Sequence, residues 1–171
     1  MAALGLIGLA LLLGAGSTRA AAPAGPPAPA VAGNSPAALG YSANGADTCL
    51  MCHRTNAHVM AIFRSPHAQP DNPRSPFGPG GLQCEACHGP GGAHVQALGM
   101  KPAGIVVFGP HSPTPVARQN AMCLSCHKSV EHTWLTGAHA ANEVSCADCH
   151  RIHGASDPVR MQATQAQVCA K

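Results

Sequence analysis

Four times in this chain two cysteines stand three residues apart, with a histidine directly behind the second. The sets are Cys49, Cys52 and His53; Cys84, Cys87 and His88; Cys123, Cys126 and His127; and Cys146, Cys149 and His150. In one helical turn, residues i, i+3 and i+4 share a face. Both thiols and the imidazole then point the same way, as attachment of a c-type haem requires: two thioethers to the porphyrin and an axial nitrogen on the iron. Eight paired cysteines could also build two Cys₄ zinc sites, and Cys-x-x-Cys alone serves disulfide and redox chemistry. Neither alternative asks for a histidine after every second cysteine. With 11 histidines in 171 residues, four such placements by chance have odds on the order of 10⁻⁵. The spacing therefore predicts four covalently attached haem c groups, with His53, His88, His127 and His150 as proximal iron ligands.

Seven histidines remain: His58, His67, His94, His111, His132, His139 and His153. A larger repeat sorts them. CLMCHRTNAHVMAIFRSPHA (49–68) aligns with CLSCHKSVEHTWLTGAHA (123–140), and GLQCEACHGPGGAH (81–94) with EVSCADCHRIH (143–153). His67 then matches His139, and His94 matches His153, which makes these four the candidate distal ligands. His153 is only three residues beyond His150, so the chain between them spans at most about 10 Å. That cannot carry it round a macrocycle edge, so His153 is expected at a neighbouring haem; the same reasoning applies more weakly to His94. His58 and His132 also align, but a five-residue helical offset points them away from the proximal side chain. His111 sits among prolines without a repeat counterpart. With histidines in excess, Met51, Met60, Met100, Met122 and Met161 read as fillers rather than axial ligands.

The elements that must position these groups are short. Residues 47–64 and 120–136 carry helical signals, with Asp47, Asn120 and Ser145 as candidate caps and Ser145–Asp148 as a capping-box pair. Residues 66–83 and 99–119 are broken by prolines and read as loops, and no alternating strand pattern is present. Only 10% of residues are charged, against about 25% in ordinary domains. Aromatics are 3%, while 19 glycines and 16 prolines punctuate the chain. Such a sequence offsets its conformational entropy poorly by side-chain burial alone. The expected fold is a multihaem cytochrome c: short α-helices and irregular loops wrapped around a haem stack, with little or no β-sheet. The formal charge of +3 forms no basic stripe, which argues against nucleic acid as a partner. Residues 1–22 read as a signal peptide, its apolar run at 2–16 too short for a membrane span, though no basic residue precedes that run. Secretion would place the cysteines in an oxidising compartment. Residues 23–40 read as a Pro/Ala-rich linker, and 41–171 as the haem domain.

Cys146 follows Cys123 by 23 residues, and Cys169 follows Cys146 by 23 again. Cys169 therefore reads as the first cysteine of a fifth motif, and the chain as an N-terminal fragment of a longer protein. The strings GADTCLMCH, SPHA, GLQCEACHGPGGAH, CLSCH, GAHA and CADCHRIH resemble the N-terminal half of the Mtr/Dms/Pio-type periplasmic decahaem c-type cytochromes, over roughly residues 40–171. That resemblance implies bis-histidine ligation through His67, His94, His139 and His153. It implies a haem wire rather than an enzyme, carrying electrons between the periplasm and the cell exterior. The implied partners are other periplasmic and outer-membrane redox proteins, an extracellular reductase, and a porin-like β-barrel at the outer membrane. The alternative from a different class is a multihaem reductase of a small oxyanion, which needs an iron with an open axial position.

Overall fold

The computed structural model describes residues 40–100 and 104–170. The expected signal peptide, and the expected linker apart from residue 40, lie outside the described residues. What is described is helical, and no strand occurs among these residues. The order is α1 (Ala46–His53), α2 (Ala57–Met60) running into a 3₁₀ turn (Ala61–Arg64), α3 (Glu85–His88), α4 (Gly92–Gln96), α5 (Val116–Leu124), α6 (Lys128–Leu135), α7 (Ala138–Ala141), α8 (Cys146–Cys149), a second 3₁₀ turn (Pro158–Arg160) and α9 (Gln162–Cys169).

The expected helical stretches are present but interrupted. Within 47–64, α1 ends and α2 restarts at Asn56, whose side chain accepts the N–H groups of His58 at 2.9 Å and Val59 at 3.2 Å. That is an Asn N-cap satisfying two otherwise orphaned donors. The second stretch begins earlier than expected, at Val116, because Pro115 holds the N-cap position with φ −54°. Proline's fixed φ and missing donor suit a helix start.

Two of the expected caps do other work. Asp47 lies in the first turn of α1, where its charge favours the helix dipole, while Gly45 is the N-cap. Gly45 has φ +53°, and a Cβ there would meet the Gln83 Oε1 at 2.6 Å, so glycine is required on both counts. Asn120 lies inside α5, not at its start, and its cap acts on α8 instead. Ser145 and Asp148 form the capping box of α8, with the Ser145 N–H donating to the Asp148 carboxylate at 2.7 Å.

The protein interior is sparse. Among the described residues the buried apolar side chains are Ala46, Ala61, Ile62, Ala68, Val106 and Leu124. As many polar ones are buried: Ser65, Ser75, Glu85, Gln119, Asn120 and Ser145. These polar groups organise loops. The Gln119 Oε1 accepts the Gly109 N–H at 3.0 Å, and its Nε2 donates to the Thr114 carbonyl at 2.9 Å. Glu85 accepts from the Ser42 hydroxyl at 2.6 Å and the Gly91 N–H at 2.7 Å, tying the start of the domain to α3. Met51, Met100 and Met161, expected as fillers, are exposed on the polypeptide, because there is little protein interior for them to fill.

Candidate haem sites

Each of the four motifs folds as one helical turn. His53 closes α1, and the N–H groups of His88, His127 and His150 donate to the carbonyls of Cys84, Cys123 and Cys146 at 3.0, 3.0 and 2.9 Å. That i to i+4 bond puts both cysteines and the histidine of each motif on one face. Motifs are then joined in pairs by amide side chains acting across the chain. The Gln83 Oε1, beside Cys84, accepts the Ala46 N–H at the start of α1 at 2.5 Å. The Asn120 Oδ1, a turn before Cys123, accepts the Cys146 N–H at the start of α8 at 2.8 Å, and its Nδ2 donates to the Val144 carbonyl at 3.2 Å. One residue thus caps the helix of its partner motif.

The cysteines record which motifs are neighbours. A hydrogen bond from the Cys84 thiol lowers Cys49 to about 7 and raises Cys84 itself. The same relation holds in the second repeat, where the Cys123 thiol lowers Cys146 to about 7 and is raised in turn. Burial raises Cys87, and the charge of Cys126 adds to it; burial likewise raises Cys149, with Cys169 adding to it. A thioether sulfur would not titrate, so the adjacency is what matters for a haem-bearing protein. The attachment points run in sequence order. The first motif is hydrogen-bonded to the second through Cys49 and Cys84, and the third to the fourth through Cys123 and Cys146, while Cys87 of the second lies within electrostatic reach of Cys123 and Cys126 of the third. Cys149 leads on to Cys169.

Histidine rings meet across these motifs. His53 and His94 have ring centroids 6.3 Å apart, His67 and His127 6.1 Å, and His88 and His153 6.2 Å. An imidazole nitrogen lies about 2 Å from a first-row metal and about 1.1 Å from its own ring centre, so two imidazoles on opposite sides of one iron have centroids about 6.2 Å apart. Three pairs, each joining a proximal histidine to a repeat-selected one, have that separation. Their planes differ: 15° for His53–His94, 63° for His67–His127 and 88° for His88–His153. His139 is not brought to a proximal histidine. Its ring contact is with Trp134, at 5.6 Å and 11°. Among the described residues no ring contact joins another histidine to His150. His111 and His132 are exposed and join no such pair.

The ring nitrogens are oriented for ligation. The His88 Nδ1 faces the Val106 carbonyl at 2.8 Å, and the His150 Nδ1 faces the Asp157 carboxylate at 2.6 Å. The His153 Nδ1 faces the carbonyl of His58 at 3.1 Å. Since carbonyl and carboxylate oxygens only accept, Nδ1 carries the proton in each and Nε2 keeps its lone pair. Burial lowers the pKa of His67, with the charge of His127 adding to it. Burial also lowers that of His153, outweighing the hydrogen bond to the His58 carbonyl, which raises it, and the charge of His88 adds to the lowering. Both effects favour the neutral ring a metal needs. Burial raises Asp157, but its hydrogen bonds from His150 and Arg151 outweigh this and hold the carboxyl below its ordinary value. The residues present fit haem c. They do not fit tetrahedral zinc: among the described residues no three metal-ligating side chains gather, where a structural zinc site takes four.

Sequence reading passed over Val106, Asp157, Gln83 and the supporting role of His58. Val106 acts through its backbone, which leaves no mark in residue type. Asp157 lies seven residues beyond His150 across an irregular loop, where neither helical nor strand periodicity points to the pairing.

Residues 84–171 match the family model described as cytochrome c-type protein NrfB-like. The chain is 43% identical over 130 residues to the multiheme cytochrome MtrA of Shewanella baltica, an alignment covering 75% of this chain and 38% of that protein. It is 30% identical over 117 residues to the cytochrome c-type protein NrfB of Escherichia coli O6:H1, covering 66% of this chain and 55% of that protein. The chain thus spans about half the length, or less, of these curated relatives.

Proposed function

From its membership of the NrfB-like cytochrome c-type family, to which this chain belongs, we infer that the protein is an electron-transfer multihaem cytochrome holding four haem c groups in a line. Haem supplies a one-electron iron couple whose potential its axial ligands set. The chain's own residues would space the sites and fill axial positions. The observation that carries the reading is geometric: three proximal histidines, His53, His127 and His88, each have a second imidazole at a centroid separation of 6.3, 6.1 and 6.2 Å, the spacing that one iron between them would set.

On this reading Cys49/Cys52, Cys84/Cys87, Cys123/Cys126 and Cys146/Cys149 form the thioethers. His53 with His94, His88 with His153 and His127 with His67 would supply three irons with two imidazoles each. His150 holds the fourth, its Nδ1–H given to Asp157. His67 sits two motifs ahead of its own, at His127. The same step from its repeat counterpart His139 points to a fifth motif opening at Cys169. The MtrA relationship further suggests a periplasmic wire serving the outer membrane and cell exterior, with other redox proteins and a porin-like β-barrel as partners. Among the described residues no helix is long and apolar enough to cross a membrane.

One observation favours a second reading. With no described histidine ring opposite His150, that iron is where a multihaem reductase of a small oxyanion would need its open position. Protein-film voltammetry of the holoprotein separates the two. A wire gives reversible waves over a broad potential window, unchanged by nitrite, nitrate or sulfite. A catalytic reduction current with any of these would overturn the electron-carrier reading.

A further inference from the structure

His58 lies outside every ligand pair, yet three contacts converge on it. The Nδ1–H of His153, 95 residues away in sequence, donates to the His58 carbonyl at 3.1 Å. The His58 ring lies against the His153 ring with centroids 5.0 Å apart and planes within 12°. His58 is itself fixed at the start of α2 by the Asn56 cap, which takes its N–H at 2.9 Å. On the other side, His153 meets His88 at 88°.

We propose that His58 is a positioning residue that sets the rotational angle of His153 and so holds its plane perpendicular to that of His88. The proposal rests on the reading of His88 and His153 as two ligands of one iron. A ligand imidazole turns easily about its metal–nitrogen bond. Its plane is therefore set by what grips the far nitrogen and what lies on its face. His58 supplies both: its carbonyl takes Nδ1–H and its ring covers one face. His132, the repeat counterpart of His58, does neither. Its carbonyl accepts the Thr136 hydroxyl at 2.9 Å within its own helix.

The angle between axial planes has a spectroscopic signature. In low-spin ferric haem, near-perpendicular imidazoles leave two iron d-orbitals almost degenerate and give a large-gmax signal, while near-parallel ones split them and give a rhombic spectrum. His88–His153 at 88° and His53–His94 at 15° should therefore appear as separate species in one sample.

The test is low-temperature electron paramagnetic resonance of the oxidised holoprotein, parent against variants. His58→Ala keeps the carbonyl and removes the ring face. The expected result is loss of the large-gmax feature or its shift to lower g, towards the rhombic signal, with haem content and total low-spin iron unchanged. His58→Phe restores a ring on the His153 face and should restore the feature, and His132→Ala should leave the spectrum as in the parent. A His58→Ala spectrum superimposable on the parent would overturn the proposal. Should His58→Ala give no holoprotein, Asn56→Ala, which loosens the carbonyl, is expected to perturb the same feature, and an unperturbed spectrum there has the same consequence. His153→Ala tests the underlying reading separately. Conversion of one iron to high spin supports the ligand pair, whereas a fully low-spin spectrum overturns pair and proposal together.

Discussion

The two repeats carry the same motifs and use their extra histidines differently. In the first, His94 turns back to His53 of its own repeat, while His67 crosses to His127 of the second. In the second, His153 crosses to His88 of the first, and His139 packs on Trp134 instead. The exchange is reciprocal, one histidine given and one received. It interlocks two halves that share little apolar surface. The difference follows from loop length. Residues 54–83 separate the motifs of the first repeat and residues 128–145 those of the second. The longer loop is built round Ser75, whose hydroxyl donates to the His67 carbonyl at 2.5 Å and accepts the Gln69 N–H at 3.2 Å. Ser65 accepts the His67 N–H at 3.2 Å. The loop thus delivers His67 outward, while the shorter one leaves His139 in its own helical hairpin.

Breaking both repeats at once should have the largest effect. With so few buried apolar side chains among the described residues, a chain made without haem attachment should lose fixed packing. Hydrogen exchange would then show its amides unprotected and a dye for apolar surface would bind; protection equal to the holoprotein would mean the polypeptide has a core of its own. Breaking the exchange selectively comes next. His67→Ala should turn one low-spin iron high-spin, whereas His139→Ala should leave the irons at His53, His88 and His127 low-spin. Magnetic circular dichroism reads both, and equal effects from the two would erase the asymmetry between repeats.

Smaller effects test the trans caps, which the repeats share. Gln83→Ala and Asn120→Ala should each cost about 1 kcal/mol, the usual worth of a helix cap, seen as similar shifts in denaturant midpoint. Smaller still is the tuning difference between two proximal histidines. A carboxylate on Nδ1 makes imidazole a stronger donor than a carbonyl does. Asp157→Asn should therefore raise one reduction potential and leave the others in place, as read by spectroelectrochemical titration. No movement of any potential would mean that Asp157 does not act on the His150 ligand.

The local chemistry was legible in the sequence because it depends on spacing of a few residues. Cysteines and histidine at i, i+3 and i+4 share a face in any helical turn, and the short tether of His153 already sent it to another motif. The repeat alignment picked out His67 and His94 beside it. What could not be read was which motif each would meet, since that depends on loops whose hydrogen bonds run through Ser65, Ser75 and Gln119. Asn120 shows the same limit. Its type announced a cap, but the helix it caps lies 26 residues onward. His139 was grouped with the other three on alignment alone, and the structure seats it against Trp134.

The central claim is that this chain holds iron from both sides through pairs of histidines drawn from different motifs. Low-temperature electron paramagnetic resonance of the oxidised holoprotein, alongside a pyridine haemochrome assay, tests it most directly. Expected are about four haems per chain, with low-spin iron at the His53, His88 and His127 sites and any high-spin iron confined to the one at His150. More than one high-spin iron per chain would contradict the pairing.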